Sequence, residues 1–304
     1  MISWMIKKID NLIHGIVDKN RFTPKILSRE ETIDLVLDKR LSIARYGDGE
    51  FNIMLSNKDI GFQVQEPELS ERLRQIFDAP NPNVLVCIPK VFDWKDRFFM
   101  SRHVRHFWSR YLKHQSSKFY ELMKTRDLYG DTQLSRPYMD FSKNGYTYGK
   151  SKSFFEKIKA IWNQKNVLIV EGELTRFGVG NHLLDNAKEV KRVLCPAKNC
   201  WSRSGEIFEK TLSLSKGFDL VILALGPTAT VLANDLAAHG VWAFDLGHLD
   251  IEYEWFLQRA TRKTIVTGKY VNEAKNGDKV QDIVDSEGIY KSQIIDKIGV
   301  SLTN

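Results

Sequence analysis

Two carboxylates separated by one glycine, Asp48 and Glu50, are the first residues along the chain whose types and spacing could support chemistry. Hard divalent cations prefer oxygen ligands, and a metal held here could bridge the protein to a diphosphate. The flanking Gly47 and Gly49 permit a tight turn that would bring both carboxylates to one cation. The pattern therefore favours a metal site, with an ordinary Asp-Gly surface turn as the alternative.

A second acidic cluster contains His248, Asp250, Glu252 and Glu254. In an extended segment His248 and Asp250 would point to the same side, because successive strand residues alternate. An imidazole or a carboxylate beside a substrate hydroxyl can take its proton as a general base. These four are therefore candidate catalytic residues, with a structural histidine and solvated helix charges as the alternative.

Two glycine-containing segments follow apolar runs and could hold phosphate. In the first, Gly226 lets an anion approach the backbone and Pro227 suits the first position of a helix. The free N–H groups there, with the hydroxyls of Thr228 and Thr230, can receive an anion. An ordinary helix cap is the alternative.

The second segment places Gly178, Gly180 and Asn181 after an earlier apolar run, before a predicted helix. It does not match GxGxxG, and the chain has no Walker sequence GxxxxGKS/T, so a conventional dinucleotide fold or P-loop kinase is disfavoured. Three cations could neutralise phosphate or simply pair with carboxylates: Arg45, Arg176 and Lys269. Carboxylates alone would repel a diphosphate, whereas a divalent metal can bind both the carboxylates and the diphosphate and stabilise the leaving group. The combination suits transfer from a nucleotide-diphosphate donor.

The elements that must position these residues are apolar strands alternating with helices. Strands are predicted at 41–45, 83–89, 166–170, 190–195, 219–225 and 240–245. Helices are predicted at 67–77, 96–124, 151–164, 204–214 and from 227 to 238. Continuous apolar strands indicate an α/β, Rossmann-like fold with a mostly parallel sheet and helices on both faces. Ligands of such sheets bind beyond the carboxyl ends of the strands, where the four chemistry-bearing segments lie.

Composition excludes several other classes of protein. Of 304 residues, 42% are hydrophobic and 27% charged, which is typical of a soluble globular chain. Three cysteines exclude a disulfide scaffold and are predicted to be buried free thiols. The net charge of +7 suits an anionic ligand or surface, but no basic arm or zinc finger indicates nucleic acid, so no nucleic-acid partner is expected. No apolar run reaches the ~18 residues needed to span a bilayer.

Three further segments complete the organisation. Residues 1–22 are predicted to be an amphipathic helix or extension, either docked on its own domain or contacting a membrane surface through residues 1–17. The main domain is predicted over 23–275, and 276–304 form a tail, read as a loop and a terminal helix. The aromatic, basic stretch 92–111 could stack against sugar or form a core helix pair.

Five ordered motifs resemble the bacterial glycosyltransferases of the D-type fold, first catalogued as a domain of unknown function and associated with streptococcal glycoprotein and surface-polysaccharide assembly. The motifs are RYGDGE at 45–50, EGELTRFGVGN at 171–181, LGPTATVLANDLA at 225–237, DLGHLDIEYEWF at 245–256 and KYVNE at 269–273. The resemblance covers about residues 25 to 275. It implies a Rossmann-like fold, a UDP-sugar donor, commonly UDP-glucose, and Mn²⁺ or Mg²⁺ held with help from a DxE motif, here Asp48 and Glu50.

Residues and resemblance together predict a cytoplasmic, metal-dependent glycosyltransferase that moves a sugar from a UDP-sugar to a hydroxyl of a glycan, glycopeptide or lipid-linked saccharide. Two other classes remain open: a nucleotide-sugar hydrolase or phosphotransferase that uses the same metal and loops, and a nucleotide-binding module without turnover. The acceptor and the oligomeric state, including a homo-oligomer, are left open by the sequence.

Overall fold

The computed structural model describes residues 22–56, 58–115, 117–281 and 288–300. The predicted N-terminal segment and its membrane contact through residues 1–17 lie outside the described residues, apart from Phe22. Within the described ranges, no helix is both long enough and apolar enough to cross a membrane.

The described residues contain one eight-stranded sheet, in which every neighbouring pair is parallel. Its strands are β1 (Ser42–Arg45), β2 (Val84–Ile88), β3 (Gly130–Asp131), β4 (Asn166–Gly172), β5 (Glu189–Cys195), β6 (Leu220–Ala224), β7 (Ala243–Asp245) and β8 (Ile294–Lys297). Their spatial order is β3-β2-β1-β7-β6-β4-β5-β8. The predicted α/β architecture with a parallel sheet is confirmed.

Helices connect most of the strands. They are α1 (Arg29–Lys39), α2 (Asp48–Ser56), α3 (Pro67–Asp78), α4 (Trp94–Arg97), α5 (Arg102–His114), α6 (Ser117–Leu122), α7 (Gly145–Ile158), α8 (Ser204–Ser215), α9 (Pro227–Ala238), α10 (Leu249–Leu257) and α11 (Ile289–Gln293). Their starts follow local chemistry: a capping box between Ser28 and Glu31 opens α1, and Pro67 and Pro227 occupy first-turn positions of α3 and α9.

Apolar side chains cover both faces of the sheet, which is why its strands are continuously hydrophobic. On β4, Val167 and Ile169 belong to the core under α1, α7 and α10, whereas Leu168 and Val170 belong to the core under α8 and α9. A further cluster packs α2, α3 and α5 against β2. The sheet is therefore packed on both faces, and its carboxyl edge can hold the loops that follow the strands in fixed positions.

Three local predictions are corrected. No helix follows β4: residues 173–188 form turns, because Arg176, Gly178 and Gly180 adopt positive φ angles of 50°, 73° and 77°, which a right-handed helix excludes. The single helix predicted at 96–124 is broken into α4, α5 and α6. The chain after 275, predicted as a loop and a terminal helix, contains the short helix α11 and then adds β8 to the sheet edge beside β5. The three cysteines are buried free thiols, as predicted.

Candidate active site

A cavity of about 300 Å³ lies beyond the carboxyl ends of the strands. Three of the four chemistry-bearing segments predicted to converge on this rim line the cavity, whereas the segment with Gly178, Gly180 and Asn181 does not. Residues at or just after the strand ends form its walls: Arg45 and Gly47 for β1, Thr132 for β3, Gly172 and Thr175 for β4, Pro196 and Ala197 for β5, Gly226 for β6, and Gly247 and His248 for β7.

Asp48 and Glu50 both line the cavity, but not through the expected tight turn. Asp48 is the first residue of α2, so the two side chains leave the helix about 200° apart. One Glu50 carboxylate oxygen, Oε2, accepts a hydrogen bond from the Gly47 N–H at 2.8 Å and so caps the helix. Burial raises the pKa of both carboxyl groups, and neither forms a salt bridge within the described chain.

Arg45 reaches the cavity wall as the partner of Asp245, at the ends of the neighbouring strands β1 and β7. Its Nη2 lies 2.6 Å from the Asp245 carboxylate, its Nε donates to the Asp245 carbonyl at 2.8 Å, and its Nη1 donates to Ser135. Gly247 has no room for a side chain, since a Cβ there would come within 2.7 Å of the guanidinium. The structure therefore supports the ion-pair interpretation of Arg45, with its charge matched by Asp245.

A second ion pair in the cavity wall joins Arg136 to Glu273, and sequence reasoning missed it. Both guanidinium Nη atoms donate to the Glu273 carboxylate, at 3.1 and 2.9 Å, and Lys263 lies 3.1 Å from the same group. Burial opposes ionisation, but Arg136, His248 and Lys263 together hold the pKa of Glu273 well below its usual value. Glu273 closes the KYVNE motif, whereas nothing in the spacing around Arg136 indicated its place.

His248 is the one member of the second acidic cluster that lines the cavity. Burial, with the positive charge of Arg136, lowers the pKa of His248 to about 3, so the imidazole is neutral near pH 7. Its Nε2 lies 3.9 Å from the Glu273 carboxylate. A group with so low a pKa is a weak base, because efficient general bases have pKa values near the working pH.

Asp250 and Glu254 point elsewhere, because the segment is helix α10 and not the extended chain that would align His248 with Asp250. The Lys269 ammonium lies 2.6 Å from Asp250 and 3.2 Å from Glu254. The Asn181 amide donates to the same two carboxylates, at 2.8 and 2.7 Å. These four predicted site residues form one buried network, which anchors the segment before Glu273 onto α10.

Glu252 also serves a positioning role. Its Oε2 accepts hydrogen bonds from the backbone N–H groups of Tyr138 and Met139, at 2.9 and 2.7 Å. Burial, followed by the nearby Asp140, raises the pKa of Glu252 to about 7. The carboxylate thereby ties the loop that follows Arg136 to α10.

The two predicted phosphate segments differ in where the structure places them. Gly226 lines the cavity at a φ of 59° immediately before α9, with the Phe62 ring against it. Pro227, Thr228 and Thr230 are buried behind it, and the Thr230 hydroxyl donates to the Arg45 carbonyl at 2.9 Å.

The other segment lies outside the cavity lining. Gly178 and Gly180 form turns there, and Arg176 donates from Nη1 to the carbonyls of Gly268 and Gln281. The structure therefore gives the guanidinium of Arg176 a role in joining two loops.

Residues 43–274 match the family model described as glycosyltransferase GT-D fold. The chain belongs to the GT-D-fold glycosyltransferase family. The resemblance drawn from the five motifs is thus confirmed.

Two curated streptococcal proteins are similar to this GT-D-fold chain. One is the "Probable glycosyl transferase Gly" of Streptococcus gordonii, 35% identical over 292 residues, which are 96% of this chain and 41% of that protein. The other is "Glycosyltransferase GlyD" of Streptococcus pneumoniae serotype 4, 37% identical over 270 residues, 88% of this chain and 32% of that protein. The chain spans less than half the length of either relative.

Solved structures support the same fold. One, described as the highly conserved domain of unknown function 1792 with a distinct glycosyltransferase fold, superposes with a TM-score of 0.81 at 35% identity, covering 94% of this chain and 98% of that chain. A glycosyltransferase from Streptococcus sanguinis with the same domain designation gives a TM-score of 0.80 at 35% identity, covering 91% and 100%.

The depressed pKa of His248 makes a prediction about stability in this GT-D-fold chain. Between its ordinary pKa of 6.5 and about 3, the unfolded chain binds a proton that the folded chain does not, so stability falls as the pH falls through this window. Replacing His248 with Asn should remove that contribution, so the free energy of unfolding should fall less on acidification than it does in wild type. Urea midpoints at pH 4 and pH 7 measure the difference.

The control for this prediction is His182→Asn, because the His182 side chain is 78% exposed and pairs with Asp185 at the surface. It should keep the wild-type pH dependence. An equal loss of stability on acidification in wild type and His248→Asn would show that His248 is not the group responsible.

Proposed function

We propose that this chain is a metal-dependent glycosyltransferase acting in the cytoplasm, which moves a sugar, most simply glucose, from a UDP-sugar to a hydroxyl of a glycan acceptor. The acceptor would be a glycopeptide or a saccharide in glycoprotein or surface-polysaccharide synthesis. The observation that carries the proposal is the charge balance of the cavity at the carboxyl edge of the sheet.

Among the residues that line the cavity, two carboxylates have no cation of the described chain within salt-bridge distance. Arg45 is paired with Asp245, and Arg136 and Lys263 are both paired with Glu273. His248 is neutral, so Asp48 and Glu50 contribute the remaining negative charge. One divalent cation would neutralise that charge and let a diphosphate enter a cavity that would otherwise repel it.

The donor set fits the chemistry of Mg²⁺ or Mn²⁺ because both groups are hard oxygen ligands that line the cavity. The described residues contain no cluster of three or more His, Cys, Asp or Glu side chains able to hold a metal, so diphosphate and water oxygens would complete the coordination. When bound, the metal would supply charge stabilisation for the departing diphosphate.

The remaining groups would bind and orient the substrates. Gly226 lines the cavity at the start of α9, where a diphosphate can approach the positive end of the helix. His248 would hold the acceptor hydroxyl by a hydrogen bond as a neutral imidazole. The Lys269 network would keep the segment from Tyr270 to Glu273 in place along the wall.

Incubation with UDP-glucose and Mn²⁺, with and without glycan acceptors, tests the proposal. Acceptor-dependent release of UDP supports sugar transfer. Release that does not depend on acceptor would instead indicate a hydrolase or phosphotransferase, and UDP binding without release would indicate a binding module.

Gly226→Val should weaken UDP binding at least ~10-fold, which corresponds to about 1.4 kcal/mol. A Cβ at this position would come within 2.4 Å of the Phe62 ring, and a φ of 59° strains any residue other than glycine. Calorimetric titration with UDP and Mn²⁺ measures the change.

The matched control is Gly149→Val in α7, where a Cβ meets no atom within 4 Å. Its UDP affinity should equal that of wild type. Unchanged affinity in a folded Gly226→Val variant would remove this loop from the donor site.

A further inference from the structure

Exposed aromatic rings are frequent in one stretch of the chain. Of the six exposed large aromatic residues of the described chain, four lie within residues 94–107 and a fifth, Tyr146, contacts Phe99; the five are 40–59% exposed and are Trp94, Phe98, Phe99, Phe107 and Tyr146. The Phe98 and Phe99 ring centroids are 5.2 Å apart, and the Phe99 and Tyr146 centroids are 5.5 Å apart. We call this set the aromatic face. Exposed apolar residues grouped in this way, and not scattered singly, mark an interaction site.

The same stretch of chain is strongly basic. Residues 94–114 contain six Lys or Arg against one acidic residue, Asp96. Lys95, Arg102, Arg110 and Lys113 are exposed, and none of the four forms a salt bridge with any residue that the structure describes. The positive charge around the aromatic face is therefore not neutralised by the protein itself.

Helix α5 shows how the surface is held. Its inner side buries Trp108 and Leu112 in the core, and the Tyr111 hydroxyl lies 3.5 Å from Asn52 of α2, the helix that begins at the cavity. Its outer side exposes His103, Phe107 and Arg110 at helical spacing. With its apolar side packed on the core, α5 presents an aromatic ring and cationic side chains outwards beside the exposed rings that precede it.

We propose that the aromatic face and the outer side of α5 bind an anionic lipid bilayer. Rings would enter the boundary between headgroups and acyl chains, while the long cationic side chains reach anionic headgroups. The charge complementarity selects a lipid surface over a neutral glycan, because stacking on sugar needs the rings but not the cations. The inference goes beyond the proposed sugar transfer and does not depend on it.

Vesicle co-sedimentation of the full chain, without nucleotide sugar, tests the proposal. Wild type should bind vesicles of equal phosphatidylglycerol and phosphatidylcholine at least ~10-fold more tightly than pure phosphatidylcholine vesicles, and lose this advantage in high salt. Phe98→Ser with Phe99→Ser, and separately Lys95→Gln with Arg102→Gln, should each weaken binding at least ~10-fold. Because these side chains are exposed, the variants should keep the wild-type unfolding temperature.

Matched controls change the same chemistry elsewhere. Leu257→Ser with Ile265→Ser removes two exposed apolar side chains, and Lys188→Gln with Lys216→Gln removes two exposed cations at the amino edge of the sheet. Both pairs should bind like wild type. The proposal is overturned if wild type shows no preference for anionic vesicles, or if both face variants bind as wild type does, which would assign vesicle binding to another segment such as residues 1–17. It is also overturned if the face variants keep wild-type vesicle binding and change only the KM for a soluble glycan, because the aromatic face would then bind sugar.

Discussion

Asp48→Asn should reduce sugar transfer at least ~100-fold and leave the protein folded. The variant keeps the shape of the side chain but removes the charge that would hold the cation, whose stabilisation of a leaving diphosphate is worth several kcal/mol. A loss of about 2.7 kcal/mol already corresponds to ~100-fold in rate. UDP release from UDP-glucose with Mn²⁺ and acceptor measures the effect, and circular dichroism verifies folding.

Glu50→Gln separates two roles of Glu50. A glutamine carbonyl can still accept the hydrogen bond from Gly47 that caps α2, so the helix should persist while the charge is lost. Transfer should fall as with Asp48→Asn, and the double variant should lose less than the product of the two effects if both groups serve one ion. Asp185→Asn, at an exposed surface carboxylate, is the control and should be fully active.

Removal of the metal by a chelator tests the same prediction independently of the variants. EDTA should stop the wild-type reaction, and added Mn²⁺ should restore it. Full activity in EDTA would show that Asp48 and Glu50 act as a base or as ligands of sugar hydroxyls. An active Asp48→Asn variant, together with loss of metal dependence in a His248 or Asp250 variant, would move the metal to the second cluster.

Sequence reasoning located six of the eight described strands because their signal is local, and it missed the two-residue β3 and the edge strand β8. Runs such as 219–225 are continuously apolar and bounded by turn residues, and the structure places β6 at 220–224. Parallel strands send their following loops to one edge, so the cavity at Gly47, Gly226 and His248 followed from the order of strands and turns.

The site chemistry was harder to predict because its partners are distant in the chain. Arg45 and Asp245 are 200 residues apart, and Arg136 and Glu273 are 137 apart, so no spacing rule connects them. The assignment of His248 and Asp250 to one side depended on an extended backbone. Since α10 is helical, Asp250 and Glu254 share a face with each other and bind Lys269 instead.

Sequence reasoning also missed a buried ion pair between neighbouring strands, whose partners are 21 residues apart. Glu171 on β4 is fully buried and Arg192 on β5 is 2% exposed, with Nη1 and Oε1 2.6 Å apart. The second Glu171 oxygen accepts from the Phe177 N–H at 2.6 Å, and the Arg192 Nε donates to Gln293 at 2.7 Å. Each charge depends on the other, because neither can reach water.

Glu171→Ala should therefore lower the free energy of unfolding by about 3–5 kcal/mol, since it strands the buried guanidinium of Arg192. This loss of stability measures the cost of leaving the Arg192 charge buried without a partner, and not the net stabilisation by the ion pair. The double variant Glu171→Met with Arg192→Met should therefore be more stable than Glu171→Ala alone. Urea unfolding followed by circular dichroism measures each variant.

An exposed ion pair provides the comparison that shows whether burial causes the loss of stability. Arg203 and Glu206 are 2.9 Å apart, but their side chains are 52% and 53% exposed. Glu206→Ala should change stability by no more than about 1 kcal/mol, because water screens such pairs. If Glu171→Ala costs no more than Glu206→Ala, the pair does not hold β4 to β5.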